Sequence, residues 1–166
     1  MQSKTLAVLA LAALAQARFG QEGLIQPIIQ GLSNFGPPGA AGTLAGRTTQ
    51  VLLAGANACD KLKLADEIVE TLGNDPQVIA GAQALVAAEK NVNPFAQDQP
   101  TLCDDPGLPA TPELRGIVPL VDPAFEGADV QNANSAQSLQ NPFNADGLSV
   151  AEVSRQQGFE VFITQV

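Results

Sequence analysis

The chain has 166 residues, with 17 Asp+Glu against 8 Lys+Arg, a formal net charge of −9 and no His, Trp or Tyr. Without His, the Ser-His-Asp and Cys-His catalytic arrangements and every His-ligated metal site are excluded. The acidic balance disfavours polyanions, so no nucleic-acid partner is expected, and 45% apolar content supports one packed domain.

Residues 1–17 read as a secretory signal peptide. Lys4 supplies a positive start, residues 5–15 form an apolar run of 11, and Ala15-Gln16-Ala17 offers small residues for cleavage. The run is short for a bilayer core, which takes roughly 20 residues. No later apolar run reaches spanning length, so no transmembrane segment is expected, and the protein is placed outside the cell.

Cys59 and Cys103 then form an even pair in a chain bound for an oxidising compartment, and a disulfide between them is expected. Neither lies in a CxxC motif and no His is present to activate a thiol.

Residues 18–46 read as an N-terminal arm and a Gly/Pro-rich linker. Within them Leu24, Ile25, Ile28, Ile29 and Leu32 fall on one helical face, with Pro27 near the start of the helix. Residues 34–46 hold four glycines and two prolines and are expected to be a loop.

Residues 47–166 read as a single helical domain. Leu62, Ala65, Ile68, Val69 and Leu72 recur at helical steps. Asp60, Lys61, Lys63, Asp66, Glu67 and Glu70 are assigned to the solvent face. Gly73 ends this helix, Asn74 or Asp75 can cap a second one, and Pro76 fits its first position. The second helix is expected over Gln77 to Asn91, carrying Val78, Ile79, Ala82, Leu85, Val86 and Glu89. Five alanines in residues 80–88 allow close helix approach. The two form an αα-hairpin.

Residues 92–112 contain five prolines and read as an ordered loop pinned at Cys103. A short helix follows from Thr111, with Pro112 first and Glu113 beside its positive end. Residues 128–140 are a polar helix with Val130, Ala133, Ala136 and Leu139 as its apolar content. Residues 148–157 form a last helix with Ser149 and Glu152 as a capping box. The tail alternates at Phe159, Val161 and Ile163, which suggests coil or a minor edge pairing. The fold class is all-α: a small helical bundle with long Pro-rich connections and one disulfide.

Asn-Pro-Phe occurs twice, at 93–95 and 141–143. Secretion disfavours a role as ligand for cytoplasmic adaptor domains. In both copies Asn is expected to close a local turn, Pro to block helix continuation and Phe to fold back on the core.

The chemistry open to the chain is narrow. Asp104, Asp105, Glu113 and Asp122 could serve carboxylate catalysis, but the Trp and Tyr on which sugars stack are absent. Neither a calcium loop nor a Gly-rich phosphate loop occurs. The expectation is a non-enzymatic protein without metal or cofactor. Its partner-binding surface is placed in the Pro-rich stretch from Asn93 to Pro123, with Asp104, Asp105 and Arg115 as the leading residues. The alternative is an extracellular carrier of a small apolar ligand or lipid, held in an enclosed pocket of roughly 300 Å³ or more.

The runs Leu85–Phe95 (LVAAEKNVNPF) and Leu108–Pro123 (LPATPELRGIVPLVDP), with ANSAQSL at 133–139, GLSV at 147–150 and both cysteines, resemble a family of small secreted proteins of filamentous ascomycete fungi. The resemblance spans roughly residues 57–160. It implies a cell-wall, surface or host-interface setting, with wall polysaccharide or a host protein as partner. It supplies no catalytic residue.

Overall fold

A computed structural model describes residues 20–166, and the expected signal peptide and its cleavage point lie outside the described residues. The described chain is mostly helical. It has α1 (Gln26–Gln30), α2 (Ala40–Leu52), α3 (Asp60–Leu72), α4 (Pro76–Ala87), α5 (Ala128–Gln140) and α6 (Val150–Gln156), with two three-residue strands, β1 (Thr101–Cys103) and β2 (Ile163–Gln165).

The α3–α4 hairpin is the centre. Gly73 takes φ 97°, a left-handed conformation open to glycine, and Asp75 accepts from the Gln77 amide at 2.9 Å, with Pro76 at the first position of α4. Leu62, Leu64, Ala65, Ile68 and Leu72 are buried with Val78, Ala82, Leu85 and Val86 in one cluster. Each fully buried Leu, Ile or Val contributes roughly 1.5–3 kcal/mol relative to exposure.

The segment read as an arm and linker belongs to this core. Ile25, Ile29, Leu32, Ala41, Leu44, Ala45 and Leu52 are buried in the same cluster as the hairpin. The loop expected over 34–46 is helical from Ala40 onward. Its two internal glycines are tolerated because Ala41, Leu44, Ala45, Thr48 and Leu52 share one buried face. Gly81, which lies among the five alanines of 80–88, makes a close contact of its own: a Cβ there would sit 3.0 Å from Leu32 and 3.3 Å from Ile29. Glycine therefore lets α1 lie directly on α4.

Lys61 departs from its assigned solvent face and is buried. It lies in register with Ala65, Ile68 and Leu72, the inward stripe of α3.

The second half wraps the hairpin. β1 pairs with β2 in parallel, Thr101 opposite Ile163 and Cys103 opposite Gln165, so the tail makes a minor edge pairing that begins at Ile163, the last residue of the expected alternation. Leu102, Val121, Phe125, Ala128, Ala151 and Phe159 form a second cluster. The capping box is present, with Ser149 Oγ accepting from the Glu152 amide at 3.0 Å and Glu152 accepting from the Ser149 amide at 2.8 Å.

Helix α5 is inverted relative to its apolar content. Gln131, Ser135 and Ser138 are buried, whereas Val130 and Leu139 are exposed. The cause is the extended segment at 118–121, whose backbone lies against α5 without a strand partner. Val118 N donates to Ser138 Oγ (3.2 Å), and Gln131 Nε2 donates to the Pro119 carbonyl (2.9 Å). Asn132 exchanges two bonds with Val121, at 2.9 and 3.0 Å. Buried backbone groups need partners, and here polar side chains of α5 supply them.

Cys59 and Cys103 are joined, with Cα atoms 4.7 Å apart across a separation of 44 residues. A loop of this length is worth at most about 4 kcal/mol by the chain-entropy argument. Cys59→Ser is expected to lower unfolding free energy by about 3 kcal/mol. Urea denaturation of oxidised wild type and variant checks this, and equal midpoints would refute it.

Candidate interaction surface

The Pro-rich stretch has little regular structure, yet it is tied down at short intervals. Leu120 N donates to the last carbonyl of α4, at Ala87 (2.9 Å), and Asp104 N donates to Gln165 O (2.7 Å). The two carboxylate oxygens of Asp66, on α3, accept from the Ala110 and Thr111 amides, each at 2.8 Å. This charge-assisted pair fixes the loop directly after the cis Leu108–Pro109 bond.

Arg115 is the main tie. Its Nη1 donates to Pro109 O (2.8 Å), and its Nη2 faces Pro106 O (3.1 Å), Ala145 O (2.8 Å) and Leu148 O (2.8 Å). One planar guanidinium thus joins the Pro-rich loop to the 145–149 turn. The next residue, Gly116, has φ 79°, and a Cβ there would lie 2.0 Å from Phe143 O. Only glycine admits this backbone approach, which Phe143 N completes by donating to Gly116 O (3.0 Å).

Of the three leading site residues, two converge. Asp104 accepts from Ser149 Oγ at 2.6 Å, so it and Arg115 grip the same turn. Asp105 does not join them; it accepts from Gly107 N at 2.8 Å and closes its own turn. The other carboxylates also have separate surroundings: Glu113 is exposed, and Asp122 is buried and accepts from Ala124 N at 2.8 Å.

Three features escaped the sequence reading. The first is Lys61. Its Nζ donates to Val86 O (2.9 Å) and Ala88 O (2.6 Å), the carbonyls that end α4. A cation there complements the negative end of the helix. Burial pulls its pKa down to about 7, with Lys90 adding to the fall and Glu89 opposing it. Lys90 is lowered too, by burial, and donates to Ala54 O at 3.0 Å. The cleft beside Lys61, lined also by Leu62, Leu102 and Val121, has about 10 Å³ of free space. That is room for one water molecule. The signal for Lys61 was its four-residue spacing to Ala65, outweighed by the habit of placing charge outside.

The second feature is Phe95, which is 99% exposed rather than folded on the core. Phe143, in the other Asn-Pro-Phe copy, behaves as expected and packs against Val118, Ala145 and Val153. The difference lies in the docking partner: Gly116 receives the backbone of Phe143, and the 93–97 turn has no such seat.

The third feature is a groove of about 160 Å³ between the N-terminal segment, α4 and α5, lined by Leu24, Ile25, Ala84, Ala88, Leu120 and Leu139. Leu24, Leu120 and Leu139 are 56%, 39% and 44% exposed. The inversion of α5 is what places Leu139 on this surface.

Among the described residues, no three metal-capable side chains converge, and no helix is long and apolar enough to cross a membrane. No family model matches the chain, and neither a curated protein nor a solved structure matches it.

Proposed function

We propose that this is a secreted, non-enzymatic interaction protein of the fungal cell surface or host interface, working through its Pro-rich face. One observation carries the reading. The 93–123 stretch is mostly irregular, with solvent-exposed runs at 93–96, 106–107 and 112–113 set between buried ones. It is nevertheless held at Cys103, at Ala110 and Thr111 by Asp66, and at Pro106 and Pro109 by Arg115. An irregular surface fixed in advance presents side chains to a partner at low entropic cost. The disulfide fits the oxidising compartment that the expected signal peptide implies.

The carrier reading needs an enclosed apolar space. The clefts beside Lys61 and beside Arg115 have about 10 Å³ each, which suits water rather than lipid. The larger hollows among the described residues, of about 340 Å³ beside Arg47 and Glu67 and about 360 Å³ beside Glu152 and Arg155, are open surface depressions edged by charged side chains rather than enclosed apolar pockets.

Native mass spectrometry of material purified from the producing organism separates the two. We expect protein without a small ligand, and retention of that protein on wall polysaccharide or a host protein. A lipid of defined mass that co-purifies in stoichiometric amount would replace this reading with the carrier.

A further inference from the structure

The two Asn-Pro-Phe copies are used differently. Phe143 packs against Val118, Ala145 and Val153, whereas Phe95 is 99% exposed. A fold-back onto the core therefore does not account for the first copy. Its turn is nevertheless ordered. Asn93 O accepts from Ala96 N (3.0 Å) and Gln97 N (2.9 Å), and Asn93 Oδ1 accepts from Phe95 N (3.0 Å). Pro94 restricts the backbone further. Both stems are tied to the body of the protein. On one side Asn91 N donates to Leu52 O at the end of α2 (2.8 Å), and Asn91 Nδ2 donates to Glu22 Oε2 (2.8 Å). On the other, Gln97 Nε2 donates to Thr101 Oγ1 (3.2 Å), and Pro100 O accepts from Ile163 N (2.8 Å).

The groups that this turn leaves unused define what binds it. Pro94, Phe95 and Ala96 form a short exposed apolar run. Asn93 Oδ1 is engaged within the turn, but Asn93 Nδ2 has no acceptor among the described residues. Asp98 is exposed and forms no ion pair among them. A complementary binder needs an apolar pocket for one phenyl ring, an acceptor at the rim for an amide, and a cation to meet Asp98. A net charge of −9 also favours a basic rim. A folded protein domain offers such a pocket.

We propose that the 93–98 turn is the recognition element of the Pro-rich face, and that its partner is a protein domain with a basic-rimmed apolar pocket that reads Asn93-Pro94-Phe95. The ring enters the pocket and the Asn93 amide donates at its rim. This rests on the reading of that face as the interaction surface, and it selects a protein rather than wall polysaccharide as the partner. The turn is ordered before binding, so capture costs little conformational entropy. The charged rim attracts Asp98, so binding weakens as salt rises. Recognition depends on the pocket, whatever compartment the domain occupies.

An isolated adaptor domain that binds linear Asn-Pro-Phe peptides is the probe, titrated calorimetrically with the purified chain at several salt concentrations. Wild type should bind saturably, more tightly than a linear peptide of residues 91–99, and a short Asn-Pro-Phe peptide should displace it. Phe95→Ala should weaken binding by about a hundredfold. Asn93→Asp keeps the acceptor that closes the turn and removes the amide donor; it should weaken binding by about tenfold. Asp98→Asn should flatten the salt dependence. All three positions are exposed, so the variants keep the fold, and circular dichroism checks that. A wild type that does not bind the probe overturns the proposal. So does binding that Phe95→Ala leaves intact, or binding no tighter than that of the linear peptide. Each of these failures leaves the wider reading of the Pro-rich face standing, because that is judged separately by retention on wall polysaccharide or a host protein.

Discussion

Arg115→Ala is expected to destabilise the protein by about 4 kcal/mol, at the upper end of what point substitutions cost. The guanidinium faces four carbonyls from two segments, those of Pro106, Pro109, Ala145 and Leu148. A hydrogen bond with one charged partner is worth roughly 1.5–3 kcal/mol when buried. Arg115 is half-buried, so water recovers part of each loss. The remainder is a large share of the roughly 5–15 kcal/mol by which domains are stable. Arg115→Lys should recover less than half, because one ammonium cannot span carbonyls arranged around a planar fork. Asp104→Ala loosens the same turn through Ser149, so the double variant should lose less than the two single losses added. Urea denaturation gives all of these values. A loss below about 1 kcal/mol for Arg115→Ala would show that the loop stays in place without it. The result also governs partner-binding tests, since a variant at Arg115 removes the platform together with the charge.

What was legible in the sequence was local. Asp75 with Pro76, and Ser149 with Glu152, settle helix starts within a few residues, and both caps form. The apolar stripes of α3 and α4 define the hairpin, and two cysteines allow one pairing. What failed depended on distant partners. Helix α2 was hidden because Gly42, Gly46 and the two prolines read as loop, whereas its buried face is stabilised by α3 and α1. Thr48 enters that face because its hydroxyl donates to Ala45 O at 2.8 Å, which satisfies it within the helix. The inversion of α5 follows from the amides at 118 and 121, far away in sequence. The site was legible to the same extent. The Pro-rich stretch is fixed as expected, and Asp104 and Arg115 converge. Phe95 and the groove were missed because exposure follows from what fails to dock on a residue.

Lys61 provides the strongest pH dependence expected of this fold. Its amine titrates near 10.5 when unfolded and at about 7 when folded, because burial disfavours the charged form. Between those limits the unfolded chain holds a proton that the folded chain lacks, so stability rises with pH. Below pH 7 both states are protonated and the full penalty of the buried charge is present. The rise amounts to about 1 kcal/mol per pH unit above neutrality, or about 2 kcal/mol from pH 7 to pH 9. Lys61→Met keeps the length of the side chain, removes the titration and leaves Val86 O and Ala88 O without their donor. The cost of those carbonyls does not vary with pH. The stability difference between wild type and Lys61→Met should therefore be constant below pH 7 and shift steadily in favour of wild type above it. Lys90, lowered by its own burial, is present in both proteins and largely cancels. Urea midpoints from pH 6 to pH 9 measure the difference. A constant difference across that range would mean that the two carbonyls hold Lys61 fully charged, and that its burial carries no titration within reach of neutral pH.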